Sequence, residues 1–281
     1  MDTLALLHLI APGEPYPGHG GDGGAGNVMG LIHHFAGRQP IFHAYHAGAR
    51  VPIEQNNGLY AVLGIGNEQD RQFAVPDLRG KMLVDAAFGA ETPPGSFPVR
   101  HIIAARPERH SRGFPMPGVV MPFAGRFVPD GWLAADGRLL DADRYRELFA
   151  AIGTQFGGDG VRAFALPDLR GAVPVGAGEG LAPGTRIEGE VPGVALHYIL
   201  SASGIFGTED GYGFPEEEPV YGEVVAWAGS ETPKDWLACD GAVLPIARQH
   251  ILFHILGDAY GGDGETSFAL PDLRGRAIVG R

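Results

Sequence analysis

The chain has 281 residues, of which 45 are glycine and 23 are proline, and 44% of its residues are hydrophobic. Inside a helix each glycine costs about 1 kcal/mol and each proline about 3 kcal/mol, so this composition excludes a bundle of long helices or a coiled coil, although the apolar fraction suffices for a core. The formal net charge of −12 disfavours nucleic acid and anionic membranes as partners. The single cysteine, Cys239, excludes an intrachain disulfide framework.

The first predicted element in the chain is a strand over Leu4–Ala11. This apolar run is too short to span a bilayer. It follows Asp2 and not a basic segment, so it is not typical of a secretory signal. We therefore expect no membrane insertion, and a protein made in the cytoplasm without a recognisable signal peptide.

The same motif, FA(L/V)PDLRG, occurs three times along the chain, at Phe73–Gly80, Phe164–Gly171 and Phe268–Gly275. The aspartates of the three motifs are 91 and 104 residues apart. Solenoids and propellers repeat every 20 to 50 residues or so, so this spacing indicates a domain-sized module in three tandem copies. Two further motifs recur in the second and third copies: WLA(A/C)DG at Trp132–Gly137 and Trp236–Gly241, and GGDG at Gly157–Gly160 and Gly261–Gly264.

Each copy is predicted to contain short strands and one short helix. The predicted helices cover residues 55–63, where Asn56, Asn57 and Gly58 interrupt the pattern, residues 142–152 and residues 245–256. Asp136-Gly137 and Asp240-Gly241 lie between apolar residues, which predicts hairpin turns. Residues 221–227 alternate and include β-branched and aromatic residues, which predicts a strand.

A further strand pattern follows the repeat motif at Val99–Ala105 and at Leu196–Ala202, and Leu6–Ala11 matches both. The third copy has no such strand after it, so we predict that the N-terminal strand completes it. The predicted fold is α+β and β-rich, with three units forming a pseudo-three-fold body whose termini lie side by side. The predicted boundaries are residues 1–26 (N-terminal strand and Gly-rich loop), 27–116 (unit 1 with its closing strand), 117–218 (unit 2 with its closing strand and an acidic linker) and 219–281 (unit 3).

In its PDLRG, GGDG and W-L-A-(C/A)-D-G motifs, the chain resembles the phage tail collar domain family, also seen in microcystin-dependent-protein-like proteins. Unit 3 is the most similar, whereas unit 1 lacks GGDG and has His43 where the family has tryptophan. The family's large tip insertion is missing, since only about 20 residues separate Gly176 from Leu196. Members of the family form trimeric fibre or adhesin ends, so the resemblance implies a single chain that folds as a pseudo-trimer.

The candidate site residues are those of the three repeat motifs, which could form a ring of charges or a ligand site. The alternative, which we favour, is a turn capped by its own aspartate and paired locally with its arginine. No general base or nucleophile accompanies them, so no catalytic residue is predicted. The motif residues are Pro76, Asp77, Arg79, Pro167, Asp168, Arg170, Pro271, Asp272 and Arg274.

The GGDG loops offer one carboxylate each, at Asp159 and Asp263, which is too few for calcium. Their glycines are expected to serve turns with positive φ. Four histidines, His33, His34, His43 and His46, are expected to face solvent or to replace aromatic residues. We therefore predict no metal and no cofactor.

Three tryptophans are possible sugar-stacking platforms. Trp132 and Trp236 are expected mainly as core anchors, and Trp227 as the more exposed side chain.

The resemblance implies a non-enzymatic structural and attachment protein of a phage tail or phage-tail-like particle. Its expected partners are other tail, fibre or baseplate proteins of matching three-fold symmetry, and a surface glycan is a further candidate. A fibre-borne glycan-cleaving enzyme and a secreted adhesin outside any particle are the alternatives.

Overall fold

The computed structural model describes residues 1–10, 31–36, 45–46, 48–63, 71–86, 91–105, 116–124, 128–129, 131–178, 180–203, 219 and 221–281; for residues 7–10 and 45–46 it describes the backbone only. The predicted glycine-rich loop after the first strand and the predicted acidic linker before unit 3 lie outside these residues. The fold is β-rich with short helices, as the composition predicts.

The N-terminal strand and unit 1 contain β1 (Asp2–Ile10), β2 (Ile32–Phe35), β3 (Tyr45–His46), β4 (Arg50–Pro52), α1 (Asn57–Leu63), β5 (Gln72–Ala74), β6 (Met82–Asp85) and β7 (Ser96–Ala104). Unit 2 contains β8 (Val119–Phe123), β9 (Trp132–Ala134), β10 (Leu139–Asp141), α2 (Arg146–Ile152), β11 (Ala163–Ala165), β12 (Val173–Gly176), β13 (Arg186–Ile187) and β14 (Gly193–Ser201). Unit 3 contains β15 (Glu223–Trp227), β16 (Trp236–Ala238), β17 (Val243–Pro245), a 3-10 turn (Ile246–Arg248), α3 (His250–Leu256), β18 (Ser267–Ala269) and β19 (Arg276–Gly280).

The strand pairings recur from unit to unit. A long strand pairs in parallel with a strand that follows the repeat motif: β7 with β6, β14 with β12, and β1 with β19. The same long strand pairs antiparallel with two others: β7 with β8 and β9, β14 with β15 and β16, and β1 with β2 and β3. A separate two-stranded ribbon completes each unit: β4 with β5, β10 with β11, and β17 with β18.

The first and last strands of the chain lie side by side. β1 runs parallel to β19, with Thr3 opposite Ala277 and Leu6 opposite Gly280. The backbone N–H of Arg281 also donates to the carbonyl of Leu6 over 2.8 Å. This is the pairing that the sequence predicted for the two ends of the chain.

The helices are shorter than predicted, although each ends where its sequence predicts. α2 begins at Arg146 because the preceding residues form a turn, in which Asp141 accepts a hydrogen bond from the backbone N–H of Arg144 over 2.8 Å. The predicted third helix is divided at Gln249, whose φ and ψ of −138° and 43° are not helical. In unit 1 the Asn-Asn-Gly sequence does not interrupt the helix, since α1 begins at Asn57.

The predicted Asp-Gly hairpins are wrong. β16 pairs with β14, and β17 pairs with β18, so the strands that flank Asp240-Gly241 do not pair with each other. The same holds for β9 and β10, which flank Asp136-Gly137. Each Asp-Gly step instead lies beside the aspartate of the repeat motif, through the bridges between Asp136 and Asp168 and between Asp240 and Asp272. The Asp-Gly step forms a tight turn, but tertiary packing determines with which strands the two flanking strands pair.

One core includes residues from every unit. The phenylalanine that begins each repeat motif is buried and contacts an aromatic ring of the unit's helix. The ring centroids are 5.5 Å apart for Tyr60 and Phe73, 5.2 Å for Phe149 and Phe164, and 5.6 Å for Phe253 and Phe268. Such tilted aromatic pairs add about 0.5–1.5 kcal/mol beyond area burial. Unit 1 therefore has the same helix-to-motif packing as units 2 and 3, despite its divergent sequence.

Candidate functional site

Each repeat motif forms an ion pair within its own turn. In unit 1 the guanidinium of Arg79 donates to both carboxylate oxygens of Asp77, over 2.8 and 2.7 Å. The backbone N–H of Arg79 also donates to Asp77 Oδ1 over 3.2 Å. Side-chain hydrogen bonds of 2.6 to 3.0 Å join Arg170 to Asp168 and Arg274 to Asp272 in the same way. The three arginines are thus bound to their own turns, and each aspartate caps the turn in which it lies.

The hydrogen bonds from arginine keep these aspartates ionised. They hold the pKa of Asp77 at about 2, below its ordinary value of 3.8. The same cause lowers the pKa of Asp168 and of Asp272. The pairs are largely exposed, and such pairs contribute little to stability. A carboxylate of low pKa that is occupied by a guanidinium is poorly suited to proton transfer near neutral pH.

The backbone of each repeat motif contacts a different unit. The glycine that ends the motif donates its N–H to the last residue of a strand: Gly171 to Asp85 over 2.7 Å, Gly275 to Gly176 over 2.7 Å, and Gly80 to Gly280 over 2.8 Å. These bonds run from unit 2 to unit 1, from unit 3 to unit 2, and from unit 1 to unit 3. The motif is therefore a junction between units as well as a turn within one.

The junction between units 2 and 3 is especially close. A Cβ atom placed on Gly176 would lie 1.8 Å from the carbonyl oxygen of Leu273 and 2.5 Å from its carbonyl carbon. Both neighbours are backbone atoms, which cannot rotate away as the end of a side chain can. Glycine is required here because the two backbones touch.

The aspartates of the GGDG loops are used by the loops themselves. Asp159 Oδ1 accepts the backbone N–H groups of Val161, Arg162 and Ala163 over 2.8 to 2.9 Å, and these bonds lower its pKa. Asp263 accepts three backbone N–H groups and the hydroxyl of Thr266, and its pKa is also lowered, chiefly by the Thr266 side chain. The predicted positive φ is confirmed in both loops. These carboxylates stabilise turns.

All three tryptophans are buried. Trp132, Trp227 and Trp236 are 4%, 5% and 6% exposed, so the expectation that Trp227 is exposed is wrong. The indole N–H of Trp227 donates to the carbonyl of Glu231 over 2.9 Å, and its ring lies against Gly118. β15 also pairs with β8, which covers the residue. None of the three rings presents a face to solvent on which a sugar could stack.

Two of the four singled-out histidines are buried, so the first of the two expectations, that they face solvent, is wrong for them. His33 is 3% exposed and His34 is 8% exposed. His33 Nδ1 lies 2.6 Å from Oε1 of Glu223, which is itself 3% exposed. His43 lies outside the described residues, as does the side chain of His46. One feature of the sequence points to this pair: Glu223 is a charged residue at the start of the otherwise apolar strand β15.

A small cavity lies where strands of the three units meet. Its volume is about 10 Å³, which is at the lower limit for one water molecule, and His34, His101 and Tyr198 contribute to its lining. Within the described ranges, no three His, Cys, Asp or Glu side chains are grouped closely enough to hold a metal ion. The helices in the described part of the chain are all too short or too polar to cross a membrane.

Comparison with known proteins places the resemblance on two of the units. No curated protein matches the chain, and no solved structure matches it either. The matched ranges leave out residues 27–116, so the third copy in unit 1 remains a prediction at the level of sequence. Residues 118–174 and 222–278 each match the family model of the Phage Tail Collar Domain, so the chain contains two copies of this domain, which is a structural domain of phage tail fibres.

Proposed function

We propose that the chain is a non-enzymatic structural component of a phage tail or tail-like particle, and that it acts as a single-chain pseudo-trimer at a fibre or tip. The two collar copies support the assignment to the tail. The observation that supports the pseudo-trimer is a closed cycle of junctions between the three units.

The first cycle consists of hydrogen bonds from the repeat motifs, described above. A second cycle connects the strands that begin the units. The isolated bridge between Leu31 and Phe123 joins unit 1 to unit 2, Val119 opposite Trp227 joins unit 2 to unit 3, and Glu223 opposite Phe35 joins unit 3 to unit 1. Each junction joins a residue at the start of one strand, or directly before it in the case of Leu31, to the aromatic residue that ends the strand of another unit. Three equivalent contacts in cyclic order are what a trimer of separate modules would make.

A small apolar cluster supports the same arrangement. Val84, Val175 and Ala277, which belong to units 1, 2 and 3, pack together with Val173. These residues all lie on the strands that follow the repeat motifs. Contact among corresponding strands of the three units supports an arrangement in which these strands converge on a common line. Joining the modules in one chain removes the entropy cost of assembling three chains and allows each module to diverge.

The proposed partners are tail, fibre or baseplate proteins with three-fold symmetry, since a three-fold body can contact such a neighbour at all its positions at once. A surface glycan remains a proposed ligand without an assigned site, because the three tryptophans are buried. The net charge of −12 favours a partner whose contact surface is basic.

Light scattering on the purified protein tests the pseudo-trimer. The expected result is a monomer of 29.6 kDa across a wide range of concentrations. A stable homotrimer of 281-residue chains would refute it. Affinity capture from intact particles tests the tail assignment: tail or baseplate proteins should be recovered with the chain, and their absence would count against this proposal.

A further inference from the structure

The buried pair of His33 and Glu223 joins the two most distant units of the sequence. His33 lies on β2 of unit 1 and Glu223 begins β15 of unit 3, 190 residues later. Their side chains are 4% and 3% exposed, and the two interacting atoms are 2.6 Å apart. The two strands are themselves paired, with Glu223 opposite Phe35. The pair therefore lies inside the junction between unit 3 and unit 1, the closing junction of the cycle.

The other two junctions are apolar at the corresponding positions. Aligning Phe35, Phe123 and Trp227, which occupy the same place in the three junctions, matches His33 with Met121 and Val225. The same alignment matches Glu223 with Leu31 and Val119. These four counterparts are Met121, Val225, Leu31 and Val119, and all are buried. One junction of three is thus marked by polar groups where the others have aliphatic side chains.

We propose that the His33–Glu223 pair determines the order in which the units pair, so that unit 3 pairs with unit 1 of the same chain. This inference rests on the proposed single-chain trimer. The three junctions between the first strands of the units all use short antiparallel bridges, so these bridges by themselves do not distinguish the native order of units from the reverse order. The same bridges could also form between copies of a single unit that are contributed by several chains.

The polar pair distinguishes them because a buried carboxyl or imidazole group needs a polar partner. In the reverse order Glu223 would be buried against Met121, and His33 against Val119. In a ring of unit 3 from three chains, Glu223 would be buried against Val225. Burying one member of an ion pair without the other is strongly unfavourable, whereas replacing both by apolar residues of similar size is often neutral. The pair therefore penalises wrong junctions more than it stabilises the right one.

The test is to install the residues of the unit 1–unit 2 junction at the closing junction, in the double variant H33M/E223L. The protein is unfolded in urea, refolded at several concentrations, and examined by light scattering and by the indole N–H signals of its three tryptophans in an NMR spectrum. Wild type should refold to a monomer with three indole signals. The double variant should keep a urea midpoint at or above that of wild type, but give extra indole signals or concentration-dependent oligomers.

The single variants H33M and E223L should both lower the urea midpoint, because each leaves one buried polar group without this partner. A matched control, L31V/M121L, changes packing at an apolar junction without changing polarity, and should refold to one monomeric species.

A double variant that refolds to a single monomer with three indole signals would overturn the inference. So would one that does not fold, because the pair would then be needed for stability and not for order. In either case a monomeric wild type would still agree with the proposed single-chain trimer. A homotrimeric wild type would contradict the single-chain trimer and with it the inference about His33 and Glu223.

Discussion

Gly176→Ala should destabilise the protein substantially, because it inserts a methyl group into the contact between units 2 and 3. The new Cβ would lie 1.8 Å from the carbonyl oxygen of Leu273, whereas ordinary van der Waals contact requires well over 3 Å. The two backbones would have to separate by more than 1 Å. This separation would break the 2.7 Å hydrogen bond from Gly275 to Gly176. Overpacking typically costs about 1–3 kcal/mol and a hydrogen bond about 1 kcal/mol, so we expect a loss of about 2–4 kcal/mol.

Gly189→Ala is the matched control for this experiment. Gly189 has no left-handed φ, and the nearest neighbour of an added Cβ is the carbonyl oxygen of Val191 at 3.7 Å. Replacing glycine by alanine at such a site stabilises by about 0.4–1 kcal/mol through the unfolded state. Urea unfolding of wild type and both variants measures the difference. If Gly176→Ala unfolds at the same urea concentration as Gly189→Ala, with an unchanged slope, the backbone contact between units 2 and 3 is not as described.

The remaining predictions concern acid stability and a buried ring. The pKa of Asp77 in the folded protein is about 2 and its ordinary value is 3.8, so its contribution to stability is present above pH ~4 and is lost as the pH falls toward about 2. The pKa values of Asp159 and Asp263 are lowered in the same direction. Asp263→Asn should therefore flatten the fall in the free energy of unfolding below pH ~4, and an unchanged acid profile would contradict this. Trp227→Ala should cost about 3–5 kcal/mol in thermal or urea unfolding, because the ring is buried at a junction; a stable Trp227→Ala variant that lost glycan binding would instead restore the stacking hypothesis.

The sequence predicts the structural features that depend on neighbouring residues and those whose sequence pattern recurs in several units. The identical strings at Phe164–Gly171 and Phe268–Gly275 fold into the same capped turn, since aspartate and arginine two residues apart need no distant partner. The ends of α2 and α3 are also determined locally, since Gly153 and Gly257 end these helices as the sequence predicts. The match between Leu6–Ala11 and the closing strands of the other copies located the N-terminal strand correctly.

What the sequence does not predict depends on contacts between units. Asp240-Gly241 is typical of a hairpin, but β16 pairs with β14 and β17 pairs with β18. Trp227 is expected at an exposed strand edge, but β8 of another unit covers it. No local pattern pairs His33 with Glu223, because 190 residues separate them. Each of these features follows from how the units are arranged around one another.

An engineered disulfide between the first and last strands tests the proposed single-chain ring most directly. Asp2 and Arg276 are register partners in β1 and β19, and the variant D2C/R276C places cysteines at both positions. The native Cys239 should not interfere, since it is buried and burial raises the pKa of its thiol. After oxidation, the proposed ring predicts an intrachain disulfide in a monomeric protein. Disulfide-linked dimers or longer ladders, or thiols that stay unreacted, would show that the N-terminal strand does not complete the last unit of its own chain.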